Sequence, residues 1–130
     1  MTSMCGRRRY CKDEAGAGAA EFALVLIPFL ALIFGIIETS MMLYANHTLQ
    51  YATEAAARCA SIMNAAGMSC DTTAHIQTYA TNHYSGPNIA PTFTYTASGC
   101  GHTVAGAANF TLNVVVVQLT VPLAATACFP

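Results

Sequence analysis

Charged residues are scarce in this sequence. Aspartate, glutamate, lysine and arginine make up 8% of its 130 residues, whereas hydrophobic residues make up 55%. Soluble domains carry charge on about 25% of their residues, so we expect much of this chain to contact something other than water. Four of the five basic residues lie within residues 7–12, and only Arg58 follows them. Without a basic face, the chain is not expected to bind nucleic acid.

The patterns of catalytic and metal sites are lacking as well. Asp71 is the only acidic residue beyond Glu54, which leaves little for general acid–base catalysis. Only Cys100 and His102 have a spacing that resembles part of a metal site, and the other histidines are scattered. No serine lies in a nucleophile-elbow pattern, and no glycine-rich loop follows a predicted strand. We therefore predict a protein that is not an enzyme and that uses no metal, cofactor or small-molecule substrate.

One long apolar run is present, at residues 22–37. It makes about 24 Å of helix at roughly 1.5 Å per residue. It can cross a hydrocarbon core of about 30 Å if the helix continues past Glu38 to residue 45, which puts Glu38 near the outer boundary of the membrane. Lysine and arginine favour the cytoplasmic side. We therefore predict a basic cytoplasmic leader over residues 1–16 and a single transmembrane helix over residues 17–45.

Two export signals share this layout. A cleavable secretory signal has an apolar region of about 7 to 15 residues followed by a small-residue cleavage site. Here the run is longer and continues into ETSMMLYANHTLQYA without a good site. The stretch RRRYCK partly resembles a twin-arginine signal, but nothing downstream looks like a cofactor-bearing enzyme. A retained membrane helix is the preferred interpretation.

Beyond the span, the sequence predicts an amphipathic stalk over residues 46–67 and a small extracytoplasmic head over residues 68–130. Gly67 is expected to end the stalk helix. Apolar residues at spacings of three and four form one stripe along the stalk. These residues are Leu49, Ala52, Ala56, Cys59 and Met63.

The head is expected to combine a short helix with strands. The helix is predicted from Thr72 to about Tyr84, with Asp71 as its cap. Residues 92–96 and 110–121 are rich in β-branched and aromatic residues and predict strands, with residues 98–109 as a loop between them. An antiparallel sheet packed on the helices gives an α+β fold.

Six cysteines fall on the two sides of the predicted span. They are Cys5 and Cys11 before it, and Cys59, Cys70, Cys100 and Cys128 after it. The last four face an oxidising compartment, where three pairings are possible. We prefer Cys59 with Cys70 and Cys100 with Cys128, each bridge stabilising the head by roughly 2 to 4 kcal/mol. Buried free thiols are the alternative.

The segment from Gly16 to residue 60 resembles a known family. A glycine and four small residues are followed by EFALVLIPFLALIFGIIE and then by LYANHTLQYATEAAARCA. This arrangement resembles the TadE-like proteins (TadE and TadF), minor pilins or pseudopilins of tight-adherence (Flp, type IVb) pilus systems. The resemblance implies a pilin-like fold and cleavage by a prepilin peptidase after Gly16. Ala17 would then be the new N-terminus, with Glu21 as its fifth residue.

The resemblance also implies a role for Glu21 in subunit pairing, because in pilin-like assemblies such a carboxylate meets the amine of a neighbouring subunit. We expect Glu21 in the first turn of the helix, where the helix dipole favours an anion. The alternative is that Glu21 lies in the headgroup region without a specific partner. One departure is that ETSMM carries no basic residue after Glu38, where family members often have one.

Three functions follow in order of preference. The first is a non-enzymatic component of pilus assembly in the bacterial inner membrane, with a cytoplasmic N-terminus and a periplasmic head. Its implied partners are the membrane, a prepilin peptidase, and other Tad assembly proteins or pilin subunits. The second is an uncleaved single-pass membrane protein whose head binds partners. The third is an anchored enzyme or a redox protein that uses Cys59 and Cys70.

Overall fold

The computed structural model of the chain describes residues 7–62, 70–114 and 117–130. The long apolar helix, the short helix and the three-stranded antiparallel sheet of this structure confirm the predicted α+β class. The strand order is β1-β2-β3. The elements are α1 (Arg7–Ile62), α2 (Thr73–His83), β1 (Thr92–Ser98), β2 (Gly101–Val114) and β3 (Val117–Phe129).

The chain divides into two compact units between Ile37 and Glu38. The first unit contains the apolar part of α1, and the second contains the rest of α1 together with α2 and the sheet. Helix α1 begins at Arg7, within the predicted leader. The predicted helix end at Gly67 and the stripe residue Met63 lie outside the described residues.

In the second unit, α1 buries one face that is built mainly from alanine. Leu49, Ala52, Ala56 and Cys59 of the predicted stripe are buried, and the neighbouring positions that are also buried are Ala45, Thr48, Thr53, Ala57 and Ala60. The side chains of Thr48 and Thr53 donate hydrogen bonds to carbonyl groups of the preceding turn of α1, so their hydroxyls are satisfied within the helix. A face of small, satisfied side chains allows the sheet to approach the helix closely.

The sheet contains a long hairpin and one shorter edge strand. Strand β1 pairs with the first seven residues of β2, from Ser98 opposite Gly101 to Thr92 opposite Ala107. Strand β3 pairs with nearly the whole of β2, from Phe129 opposite His102 to Val117 opposite Val114. The distal part of the β2–β3 hairpin therefore extends beyond the end of β1.

Two sequence-based assignments of strand and loop were wrong. Residues 101–109, predicted as a loop, belong to β2, and the predicted strand over residues 110–121 is divided between β2 and β3. The one glycine and three alanines of residues 105–108 have low strand propensity. Pairing with β3, and as far as Ala107 also with β1, stabilises them in the central strand. Residues 114–117 are all valine, which favours a continuous strand, so the sequence did not indicate that the two strands separate here.

Gly101 allows the backbone at the start of β2 to pass close to the end of β3. Its φ of +119° is one that residues with a side chain rarely adopt. A Cβ atom at this position would also collide with the carbonyl oxygen of Phe129. Glycine is therefore required where the β1–β2 turn passes the end of β3.

The sheet packs on α1 through Gly106. A Cβ atom added to Gly106 would lie 3.0 Å from Cε1 of Phe93 and 3.1 Å from Cδ1 of Leu49. Where β3 ends, the guanidinium carbon of Arg58 lies 5.7 Å from the centre of the Phe129 ring. Phe93, Val104 and Phe110 are buried in the same core. The core of the second unit thus lies between the alanine face of α1 and one face of the sheet.

Helix α2 begins one residue later than predicted and uses a different cap. Thr72 is the N-cap, and its side chain accepts a hydrogen bond of 3.3 Å from the backbone N–H of His75. The predicted cap, Asp71, instead binds the ring of His75, with 2.5 Å between Oδ1 and Nδ1. Ile76 and Ala80 are the buried residues of α2, and Tyr79 packs against the core while partly exposed.

Candidate membrane-anchoring and assembly segment

No described residue of the chain covers the apolar part of α1. Its most apolar window has a mean hydropathy of 2.5, and none of that window is buried. Phe22 and Leu24 are 67% and 73% exposed, and Ile36 is 59% exposed. The core helix of a soluble domain would be mostly buried, so this surface needs lipid or other chains around it. The long apolar helix indicates membrane anchoring.

The predicted processing residues, Gly16 and Ala17, both lie inside α1. Gly16 is exposed, and a Cβ atom added to it would meet nothing within 4 Å. The same holds for Gly18. Packing therefore does not require either glycine in this conformation. Because glycine destabilises a helix interior by about 1 kcal/mol relative to alanine, residues 16–18 are a weak point of α1.

Glu21 is exposed on the same face of the helix as Ala17, since residues four apart lie one above the other. The expectation that Glu21 lies in the first turn concerns a helix that begins at Ala17, and it stays a prediction. Helix α1 begins at Arg7, and its first turn contains no acidic residue. In a chain that began at Ala17, the positive end of the helix dipole would lie next to Glu21.

Glu38, predicted as the acid at the membrane boundary, is the first residue of the second unit and is half-buried. It thus lies where α1 changes from an exposed apolar surface to the helix that carries the sheet. Its location at the membrane boundary stays a prediction.

The structure contains two disulfides, and they are the two pairs preferred from the sequence. The stalk disulfide joins Cys59 of α1 to Cys70 before α2, with a Cα–Cα distance of 5.9 Å. The hairpin disulfide joins Cys100 of the β1–β2 turn to Cys128 near the end of β3, with a Cα–Cα distance of 6.4 Å. The hydroxyl of Thr103 donates a hydrogen bond of 3.2 Å to the sulfur of Cys128.

Three of the four histidines form local contacts. Nδ1 of His102 lies 2.7 Å from the hydroxyl of Tyr95, and Nδ1 of His83 lies 2.9 Å from the carbonyl oxygen of Tyr79. The hydrogen bond from His75 is the main cause that lowers the pKa of the Asp71 carboxyl. Within the described ranges, no three histidine, cysteine or acidic side chains are grouped as metal ligands would be.

Sequence reasoning missed the far end of the β2–β3 hairpin, because it treated residues 110–121 as a single strand. Val117 and Leu119 in this region are 66% and 56% exposed. The signal that was available is the alternation of Leu112 with Thr111 and Asn113, and of Leu119 with Gln118 and Thr120. This period of two is typical of strands with one apolar and one polar face.

Comparison with known proteins finds one family match, and it covers most of α1. Residues 16–58 match the TadE family model, which describes a TadE-like protein. The match confirms the resemblance, and it includes Gly16, Ala17, Glu21 and Glu38. No curated protein and no solved structure matches the chain.

Proposed function

Because residues 16–58 are TadE-like, we propose that this chain is a minor pilin or pseudopilin of the tight-adherence pilus machinery. In this proposal, a prepilin peptidase cleaves after Gly16 on the cytoplasmic side of the inner membrane. The mature chain then remains anchored by α1, with its head on the periplasmic side, until it joins other subunits. The observation that carries the proposal is that the family match begins at Gly16 itself and continues through the apolar helix.

The exposure of α1 supports this function. A filament subunit needs an apolar helix that lipid covers before assembly and neighbouring subunits cover afterwards. The helix from Phe22 to Ile37 presents such a surface, because its large side chains are exposed within the chain. Gly35 offers a place where another helix could come close, since a Cβ atom there would meet nothing within 4 Å.

The spacing of Ala17 and Glu21 gives the pairing role a physical basis. Cleavage would create an α-amino group on Ala17, one turn from Glu21 and about 6 Å away along the helix axis. Each charge alone is unfavourable next to lipid, whereas an amine of one subunit and a carboxylate of the next neutralise each other. Such a pair selects one register of neighbouring helices more than it adds stability.

Cleavage itself requires local unwinding of α1, because a peptide bond inside a helix is held by backbone hydrogen bonds on both sides. Gly16 and Gly18 reduce the free energy needed for this unwinding by roughly 1 kcal/mol each relative to alanine. On this view the two glycines serve processing and not packing.

The first experiment determines the N-terminus and the intact mass of the membrane-bound protein, in cells with and without their prepilin peptidase. A start at Ala17 that depends on the peptidase is the expected result. An intact Met1 in both strains would contradict processing and favour the uncleaved membrane protein with a partner-binding head. A start beyond residue 45 would identify the apolar helix as an export signal.

The second experiment tests pairing with Glu21→Gln. We expect processing to continue and surface piliation to be strongly reduced, whereas Glu21→Asp, which keeps the charge, should retain part of it. Glu54→Gln is the matched control, because Glu54 is an exposed carboxylate of α1 outside the apolar run. Normal piliation in Glu21→Gln would refute the pairing role.

A further inference from the structure

In its distal part, the β2–β3 hairpin has one polar and one apolar face. Residues paired across an antiparallel ladder point to the same side of the sheet. The pairs Thr111 with Thr120 and Asn113 with Gln118 form the polar face. The pairs on the apolar face are Ala108 with Leu123, Phe110 with Val121, and Leu112 with Leu119.

The apolar face loses its cover toward the far end of the hairpin. Leu123 and Phe110 are 8% and 6% exposed, because they pack in the core of the second unit. Leu112 is half-buried, and Leu119 and Val117 are 56% and 66% exposed. We refer to residues 111–114 and 117–120 as the hairpin tip. Leu119 and Val117 lie on the same face of the hairpin as the core residues Phe110 and Leu123. No other described residue of the second unit covers them.

The hairpin tip lies at the Glu38 end of the second unit. Phe129 contacts Arg58, and Ala125 lines one cleft together with Thr53, so β3 and α1 run in the same direction. From Ala125 to Leu119 there are about 20 Å of strand at roughly 3.3 Å per residue. This length corresponds to about 13 helical residues at roughly 1.5 Å per residue. Counted back from Thr53, Leu119 is level with about residue 40, beside the predicted membrane boundary at Glu38.

The sheet carries no acidic, lysine or arginine side chain that would oppose contact with lipid. The sequence contains no aspartate, glutamate, lysine or arginine after Asp71. Natural proteins usually protect exposed apolar strand ends with charged residues, above all lysine. An uncharged tip with exposed apolar side chains is suited to an apolar partner, and its binding should depend little on salt.

We propose that the hairpin tip inserts into the interfacial region of the same bilayer that anchors α1, on its Glu38 side. The chain would then have two membrane contacts, the helix and the tip, which fix the tilt of the head above the membrane. The proposal rests on the anchoring of α1 in lipid and not on pilus assembly. It extends the function above by adding a second lipid-binding element.

Lipid fits the tip better than a second copy of the chain. The exposed apolar side chains offer on the order of 200 to 300 Å², whereas a stable protein complex buries about 800 Å² on each partner. Lipid is also already present at this end of the unit if α1 is anchored. Insertion must be shallow, because Asn113 and Gln118 lie on the opposite face and the strand edges carry backbone groups that need water.

Because the chain contains no tryptophan, a single introduced tryptophan reports on its own surroundings without background. Single-tryptophan variants of the full chain are reconstituted into vesicles of zwitterionic lipid with and without brominated acyl chains, which quench tryptophan fluorescence on contact. Val117→Trp reports on the tip, and Gln118→Trp reports on the polar face one residue away. Phe29→Trp reports on the apolar helix, and Ala97→Trp reports on the exposed far end of β1.

We expect Val117→Trp to show blue-shifted emission that brominated lipid quenches to a degree approaching Phe29→Trp, at both low and high salt. Gln118→Trp should be quenched less, and Ala97→Trp should not be quenched. Emission from Val117→Trp that acrylamide quenches but brominated lipid does not would overturn the proposal. Equal quenching of Val117→Trp and Gln118→Trp would also overturn it, because the effect would then come from the introduced ring and not from the apolar face.

Two further outcomes separate the remaining possibilities, and both overturn the proposal. If the emission of Val117→Trp is blue-shifted, unaffected by brominated lipid and reversed on dilution with wild-type protein, the tip binds a second copy of the chain. If Phe29→Trp is also not quenched, α1 itself is not in the bilayer and the premise fails. An unchanged N-terminus in the processing experiment, in contrast, would refute the pilin role without affecting this result.

Discussion

The contact between Leu49 and Gly106 provides a quantitative test of how the sheet is held on α1. Leu49 is fully buried, and its Cδ1 atom would lie only 3.1 Å from a Cβ atom on Gly106. Leu49→Ala removes a buried side chain and should reduce the free energy of unfolding by about 2 to 5 kcal/mol. Gly106→Ala adds a methyl group between Leu49 and the Phe93 ring and should cost about 1 to 3 kcal/mol through overpacking.

The losses of stability from the two substitutions should not be additive. One substitution removes atoms from the space between Leu49 and Gly106, and the other adds atoms to it. Leu49→Ala removes the atoms that the added methyl group would press against, so the double variant should lose less stability than the sum of the single variants. Coupling energies between residues in contact are about 0.5 to 3 kcal/mol. The Phe93 ring remains on the other side of Gly106, so we expect partial and not complete relief.

The assay is urea unfolding of the full chain in nonionic detergent, followed by the near-ultraviolet circular dichroism of its tyrosines. Gly18→Ala is the control, because a Cβ atom there would meet nothing within 4 Å, and it should leave the unfolding midpoint of the head unchanged. Losses that add up in the double variant would refute the packing described here. So would a neutral Gly106→Ala.

Three further predictions use the same unfolding assay. Replacing both cysteines of the hairpin disulfide by serine should destabilise the head more than the same change in the stalk disulfide, because the loops span 28 and 11 residues. Loop entropy gives about 3.6 and about 2.8 kcal/mol, and the reverse order would contradict this reasoning. Burial raises the pKa of the Tyr84 hydroxyl above 10.0, so folding favours its neutral form. The resulting stabilisation is present below about pH 10 and is lost as the pH rises through the raised pKa, and Tyr84→Phe should lack this alkaline component. Equal alkaline losses in both proteins would exclude Tyr84 as the cause. Thr72→Ala should cost about 1 kcal/mol by removing the cap of α2, whereas Thr72→Ser should retain most of it.

The sequence was sufficient for the features that depend on local pattern. The apolar run of residues 22–37 and the spacing of Leu49, Ala52, Ala56 and Cys59 predict a helix with the correct buried face, because helical periodicity is visible in a single segment. The TadE-like motif is likewise contiguous, from Gly16 onward. Each of these features needs only neighbours along the chain to be recognised.

The head shows where local pattern fails. The small residues 105–107 form a strand because β1 and β3 pair with them on both sides, and these two partners are distant from each other in the sequence. The cap of α2 depended on whether Asp71 or Thr72 pointed toward the backbone, and the contact between Asp71 and His75 decided it. Propensity alone ranks aspartate above threonine as a cap, so it favoured the wrong residue.

By itself, the sequence determined the apolar helix and the α+β class, since these follow from composition and periodicity along the chain. Only the tertiary structure decided that the valine run is divided between β2 and β3, and that an apolar tip remains exposed at the Glu38 end of the head. The reason is physical. The face of a strand and its exposure depend on register with partners distant in the chain, and a register is a property of the pair and not of either segment.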